Sequence, residues 1–200
     1  MSAQQKQRRE RGDRGREGDV WKGLAAGVVG GLVASAVMNQ FQALLSKLAA
    51  GEERAHGAQS MQQGSPRRGI GRELQAEGKD DPEDDAPERL ANAISVGVSG
   101  RELTKHEKEV GGVAVHYAMG ATSGALYGAV AEVLPEVKVG AGLPFGVAVW
   151  LIADEGIVPA AGLSKSASEY PLSIHAYAFA SHLVFGLTTE IVRRAVRSAL

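Results

Sequence analysis

The chain has 200 residues, a formal net charge of −1 and no cysteine. Its length fits one domain or two small ones. The lack of cysteine excludes a disulfide framework, a thiolate metal site and a cysteine nucleophile, and the near-neutral balance argues against a nucleic-acid partner. The averages hide a segregation of charge: of 22 Lys/Arg and 23 Asp/Glu, 11 lie in residues 1–22 and 22 lie in residues 51–109. Four apolar stretches hold Asp154 and Glu155 as their only formal charges.

Residues 1–22 carry seven basic and four acidic side chains with almost no apolar ones. Such a segment cannot bury enough surface to offset its ordering entropy, so a disordered basic tail is expected. A first transmembrane helix is expected over 23–48, because residues 23–46 run without a charge and about 20 apolar residues span a hydrocarbon core. Trp21 and Lys22 stand where interfacial anchors belong. Ala34-Ser35-Ala36 resembles a signal-peptide cleavage site, but the uncharged run continues to Ser46, so a retained anchor is the expectation.

Residues 51–109 form a polar, acidic extramembrane segment. Its Asp80–Glu88 tract lacks the alternation and glycine turn of a calcium loop and is expected to be solvated. Leu90, Ile94 and Val98 recur every fourth residue, predicting a short amphipathic helix near 87–98. Thr104 followed by Glu107 predicts a capping box that starts the next helix. Residues 110–200 then hold three further apolar spans, over 110–131, 139–163 and 171–189. The fold class is therefore all-α: a polytopic membrane protein with four transmembrane helices, a disordered amino-terminal tail and a long polar loop between helices 1 and 2. A soluble fold would need residues to wrap four helices that are apolar all round, and this chain has none to spare.

Small residues recur every fourth position, at Gly23, Gly27 and Gly31 in the first span and at Gly120, Gly124 and Gly128 in the second. In lipid such stripes let backbones approach, so they are expected to pack helices. The basic amino terminus, Lys138 and the Arg193–Arg197 tail favour one side, placing both termini in the cytoplasm.

Ionisable residues at membrane depth are costly and suggest function. At about 1.5 Å per residue, His116, Asp154, His175 and His182 all fall in the outer half of the membrane, with Glu155 beside them. A proton or ion pathway through His116, Asp154, Glu155, His175 and His182 is one reading; a hydrogen-bonded structural cluster is another. A metal site has no support from spacing, because neither HExxH nor ExxH is present. Glu132 and Glu190 are expected to pair with Lys138, Arg193 and Arg194 at the inner interface. Ser123 and Ser181 lack a G-x-S-x-G elbow. No catalytic residue, metal or cofactor is expected.

The carboxy-terminal half resembles the YagU-like family of bacterial inner-membrane proteins, whose function is uncharacterised. The residues that carry the resemblance are His116, Tyr127–Pro135, Val137-Lys138, Gly142-Leu143, Gly146, Pro159, Gly162-Leu163, His182–Val184 and Glu190–Arg194. The resemblance implies a multi-pass protein of the bacterial inner membrane and supplies no catalytic residue. The expectation is a non-enzymatic membrane component, held in the bilayer and packing through its small-residue stripes against itself or a larger membrane complex. The alternative is a proton-linked channel or transporter built on the His/Asp/Glu cluster.

Overall fold

The computed structural model describes residues 3–49 and 84–200, so the expectations for 51–83 lie outside the described residues. Among the described residues the chain is all-helical. Helix α1 spans Ala3–Ala49, α2 Ala86–Ser99 and α3 Lys105–Val133. A 3₁₀ turn at Pro135–Lys138 leads into a third rod, made of α4 (Leu143–Val149), a π-helical stretch (Trp150–Ile157) and α5 (Val158–Ala160). A 3₁₀ turn at Ala167–Glu169 precedes α6, Leu172–Ala199.

Instead of a disordered tail, residues 3–22 continue α1 toward the amino terminus. The segment is rich in Gln, Arg, Lys and Glu, which are good helix formers. Propagating a helix already nucleated in the apolar run costs far less than starting one. Two units, Asp19–Lys47 and Leu143–Ala160, are long and apolar enough to cross a membrane by length and composition. Helices α3 and α6 are not among them, because glycine, histidine, tyrosine, serine and threonine dilute their apolar content.

Local chemistry fixes the helix starts. The Asp85 carboxylate accepts from the Glu88 N–H and the Glu88 carboxylate accepts from the Asp85 N–H, both at 3.0 Å, and Gly100 ends α2 at φ 68°. Thr104 and Glu107 close the same box at the start of α3. Arg101 donates to both Glu107 oxygens at 2.9 and 3.0 Å. With the Thr104 donors, it holds the Glu107 carboxyl down at about 2.

Helix α1 is the centre of the bundle, with α3 on one side and α6 on another. On the α3 side the two backbones touch: a Cβ added at Gly27 would strike the Gly124 carbonyl, and one at Gly31 the Gly120 carbonyl. Gly23 meets Gly128 in the same way. On the α6 side a Cβ at Gly30 would sit 2.7 Å from the Thr189 carbonyl oxygen. The α4–α6 contact repeats the device, with Gly142 against Gly186 and Gly146 against the His182 carbonyl. The residues named in the two stripes are thus occupied within one chain.

This packing sorts side chains by size and polarity in the opposite sense to a soluble core. Ser35, Asp154, Ser181, His182, Thr189, Glu190 and Arg193 are buried. Leu32, Val37, Val113, Leu126, Leu151 and Leu187 are exposed. Small residues bring the helices together, polar groups share the interior with apolar clusters around Phe185 and Val158, and most branched apolar side chains point away.

Candidate functional site

The third rod positions the acidic pair. Within it the Val158 N–H reaches back to the Ala153 carbonyl, five residues earlier. Pro159 supplies a physical reason: it has no N–H to donate and its ring crowds the carbonyl four residues before it, so a widened turn relieves the clash. The irregularity lies over Trp150–Ile157, just upstream of Pro159. Asp154 and Glu155 stand in this wide turn and face α6.

Each carboxylate meets a different histidine. Glu155 Oε1 lies 2.7 Å from His175 Nδ1, while His175 Nε2 lies 3.1 Å from the Ala167 carbonyl oxygen. A carbonyl only accepts, so Nε2 carries a hydrogen. Nδ1 then either donates to the Glu155 carboxylate or accepts from its protonated form. The pair carries the same number of protons in both states, and one proton can shift along a single short contact.

His182 Nδ1 lies 2.9 Å from the Ala178 carbonyl oxygen and 3.6 Å from Asp154 Oδ2. The first is a hydrogen bond and fixes the hydrogen on Nδ1; the second is an electrostatic contact. Asp154 is 4% exposed, so its carboxyl group is held inside the bundle beside this imidazole.

His116, on α3, belongs to the His182 side. The Ser35 backbone, Asp85 and His182 are its electrostatic neighbours. His116 Nε2 and the Ser35 hydroxyl are buried with no hydrogen-bond partner among the described residues. The five predicted residues therefore divide. His116, His182 and Asp154 gather in the interior with Ser35, whereas His175 and Glu155 form a separate pair joined to the Ala167–Glu169 turn. No three His, Asp or Glu side chains among the described residues converge as a metal site requires. The Ser123 hydroxyl donates to the Gly120 carbonyl and that of Ser181 to the Tyr177 carbonyl, each within its own helix.

The other end of the bundle holds a second polar layer. Glu190 Oε2 accepts from Arg193 Nε at 2.6 Å, and Glu190 Oε1 accepts from Arg194 Nε at 2.5 Å. Arg197 donates to Glu132 at 2.9 Å and to Asp19 at 2.9 Å, tying α6 to α3 and α1. Glu190 and Arg193 are 1% and 3% exposed, so this is a buried clamp instead of the interfacial pairing expected for Glu190. Burial opposes the Glu190 charge, but the hydrogen bonds from Arg193 and Arg194 outweigh it and hold its carboxyl below the usual range. Lys138 joins only through its carbonyl, which accepts from Arg194.

Sequence reasoning missed Ser35, Tyr127 and Arg193 as interior groups. Arg193 carries a signal in its spacing, three residues after Glu190 on one helix face. Tyr127 carries none, since its partners come from other elements.

At the end of the bundle away from the Glu190 clamp, Arg89 of α2 is fully buried and donates to the Leu163 carbonyl at 3.2 Å. Lys108 pairs with Asp84 at 2.6 Å and Asn92 accepts from the Leu103 N–H at 2.8 Å. Helix α2 is thereby fastened over the ends of α3 and α5. Burial raises the carboxyls of Asp85 and Glu88 above their usual range.

None of the curated proteins and none of the solved structures matches the chain. A family model described as "Protein of unknown function (DUF1440)" matches residues 75–191. That region contains α2, α3, the third rod and most of α6, with all five predicted His, Asp and Glu residues, and excludes α1. The chain belongs to the DUF1440 family of proteins of unknown function.

Proposed function

We propose that this is a multi-pass protein of the bacterial inner membrane, YagU-like in its carboxy-terminal half, with α1, α3, the third rod and α6 as four crossings and both termini in the cytoplasm. Its leading role is that of a non-enzymatic membrane component. The observation that carries the membrane reading is the sorting of side chains, with Ser35, Asp154, His182, Glu190 and Arg193 inside and most of the leucines and valines of the bundle outside. A bilayer tolerates that arrangement and water does not. The seven Lys/Arg before Gly23 and the three after Glu190 support the orientation.

The absence of native cysteine makes the test direct. Single cysteines at Ser65→Cys and Ser168→Cys should react with a membrane-impermeant maleimide from the periplasmic side. Those at Lys138→Cys and Ser198→Cys should react only after the membrane is opened. Equal labelling of all four in intact spheroplasts contradicts the topology.

A second reading, proton-linked function, is favoured by one observation: across the π-helical turn, consecutive carboxylates face consecutive histidines of α6 one turn pair apart. π-Turns concentrate at functional sites, and His–carboxylate pairs in membranes serve as proton relays. Infrared difference spectra between acidic and neutral pH should contain a protonated-carboxyl band that Asp154→Asn removes. A band unchanged by Asp154→Asn and by Glu155→Gln removes this reading. Because the glycine stripes are filled within the chain, self-association through them has less support than either reading.

A further inference from the structure

A continuous series of contacts runs through the bundle from one polar layer to the other. The His182 ring lies 6.5 Å from that of Phe185, which lies 5.9 Å from Phe145. Phe145 stacks on Tyr127 at 4.3 Å, and the Arg193 guanidinium sits 5.9 Å from the Tyr127 ring centroid. Phe185 is buried with Ala34 and Met38 of α1, and Phe145 and Val149 of the third rod pack against that group. An apolar, largely aromatic layer thus separates the Asp154/His182 level from the Glu190/Arg193 clamp. On the far side of His182, the neighbours are His116, Ser35 and Asp85.

We propose that Ser35, His116, His182 and Asp154 form one proton-binding chamber, entered from the outer face past Asp85 and closed toward the inner face by Phe185, Phe145 and Tyr127. The inference rests on the proton-linked reading and adds to it the side of entry and the identity of the seal. Two buried polar atoms on facing helices, Ser35 Oγ and His116 Nε2, have no protein partner, and Ser35 is 1% exposed. A Cβ added at Gly120 would meet the Ser35 hydroxyl, which therefore points toward α3 one turn from His116. Buried polar groups of this kind are satisfied by water, and water is the carrier that brings a proton.

The chemistry at His116 is simple. In the tautomer with hydrogen on Nδ1, the buried and unpartnered Nε2 offers a lone pair that accepts a proton from hydronium: one N–H bond forms, one O–H bond breaks, and a water remains. The imidazolium then passes this proton through water to the Asp154 carboxylate, beyond His182: the new N–H bond breaks, an O–H bond forms on Asp154, and that protonated carboxyl is the species the infrared band reports. Among the described residues, the titratable and charged groups facing the chamber are Asp154 from the third rod, His182 from α6, His116 from α3 and, at the start of α2, Asp85 with Asp84 and Arg89 beside it; α1 contributes Ser35. On the inner side the chamber meets the Phe185 and Phe145 rings with Ala34, Met38 and Val149, and the Tyr127 hydroxyl is turned to the Val137 carbonyl, so the layer offers a proton no polar group.

The test uses the full chain reconstituted in vesicles of phosphatidylethanolamine and phosphatidylglycerol loaded with a pH-sensitive dye, under an imposed pH gradient. Wild type should hold the gradient. Phe185→Ala should collapse it several-fold faster, and so should Phe145→Ala, which opens the same layer from another helix. Adding Asp154→Asn to either variant should restore the slow rate. Several outcomes overturn the proposal: both variants as tight as wild type while eluting as folded protein, wild type leaking as fast as the variants, or a leak indifferent to Asp154→Asn. The infrared band separates the two levels of failure. If the band is present and the variants do not leak, the seal is wrong and the proton-linked reading stands; if no band exists, that reading falls as well.

Discussion

At one end of the bundle, Arg193 and Arg194 both bind Glu190 while Arg197 binds Glu132 and Asp19, with charge-assisted contacts of 2.5–2.9 Å. At the level of the π-helical turn each carboxylate faces an imidazole, one at 2.7 Å and the other at 3.6 Å. The difference lies in the cation. A guanidinium does not release its proton near neutral pH, so the Glu190 layer has one charge state and serves to hold α1, α3 and α6 together. Histidine changes charge in the physiological range, so the layer at the π-helical turn has more than one state available. Burial is similar in both layers; only the chemistry of the partner separates a clamp from a relay.

The largest effect should come from breaking the clamp. Glu190→Ala leaves Arg193 buried without its main partner and should cost about 3–5 kcal/mol, read as a fall in thermal stability in detergent. Wild-type stability would show that Arg193 finds water instead. Next comes the glycine contact that holds α1 to α3. Gly27→Leu forces the backbones apart and should cost about 1–3 kcal/mol or more, measured by the same unfolding transition; an unchanged transition would deny that the two helices touch there.

Asp154→Asn should sharpen the comparison from the other side. It keeps the volume and removes the charge, so stability should move by less than about 1 kcal/mol while the infrared carboxyl band disappears. A large loss of stability would make Asp154 a clamp like Glu190. Smaller still, Asp85→Ala removes the cap of α2 and should cost about 1 kcal/mol, seen as faster amide exchange at Glu88 and Arg89 with the rest of the bundle unchanged.

The smallest effect is a pH dependence of opposite sign at neighbouring helix starts. Glu107 is held at about 2 against an ordinary 4.5, so its contribution to the start of α3 is complete above 4.5 and is lost as pH falls toward 2. Asp85 is raised above its ordinary 3.8, so its contribution is complete below 3.8 and is lost as pH rises through its folded value. Amide exchange should therefore quicken in acid at the start of α3 and slow at the start of α2. The same direction at both sites contradicts the assignment.

Much of the helical layout was legible in the sequence because it rests on local signals. The four-residue spacing of Leu90, Ile94 and Val98 falls within α2, and the Thr104/Glu107 box starts α3. The helix over residues 3–22 was not legible, since composition alone does not reveal that α1 supplies its nucleus. Within the site, the sequence put five ionisable residues at one level but had no means of pairing them. Which histidine meets which carboxylate depends on the π-helical turn, and that depends on how Pro159 is accommodated. The buried state of Glu190 and Arg193 was hidden for a similar reason: their cover comes from Tyr127 and Glu132, more than fifty residues away.

The most direct test is ¹⁵N magnetic resonance of the histidine ring nitrogens in detergent at neutral pH, on wild type and on Asp154→Asn. The geometry predicts that His182 carries hydrogen on Nδ1 and His175 on Nε2, and that Asp154→Asn moves the ring signals of His116 and His182 while leaving those of His175 in place. Hydrogen on Nε2 alone of His182, or ring signals indifferent to Asp154→Asn, would contradict it.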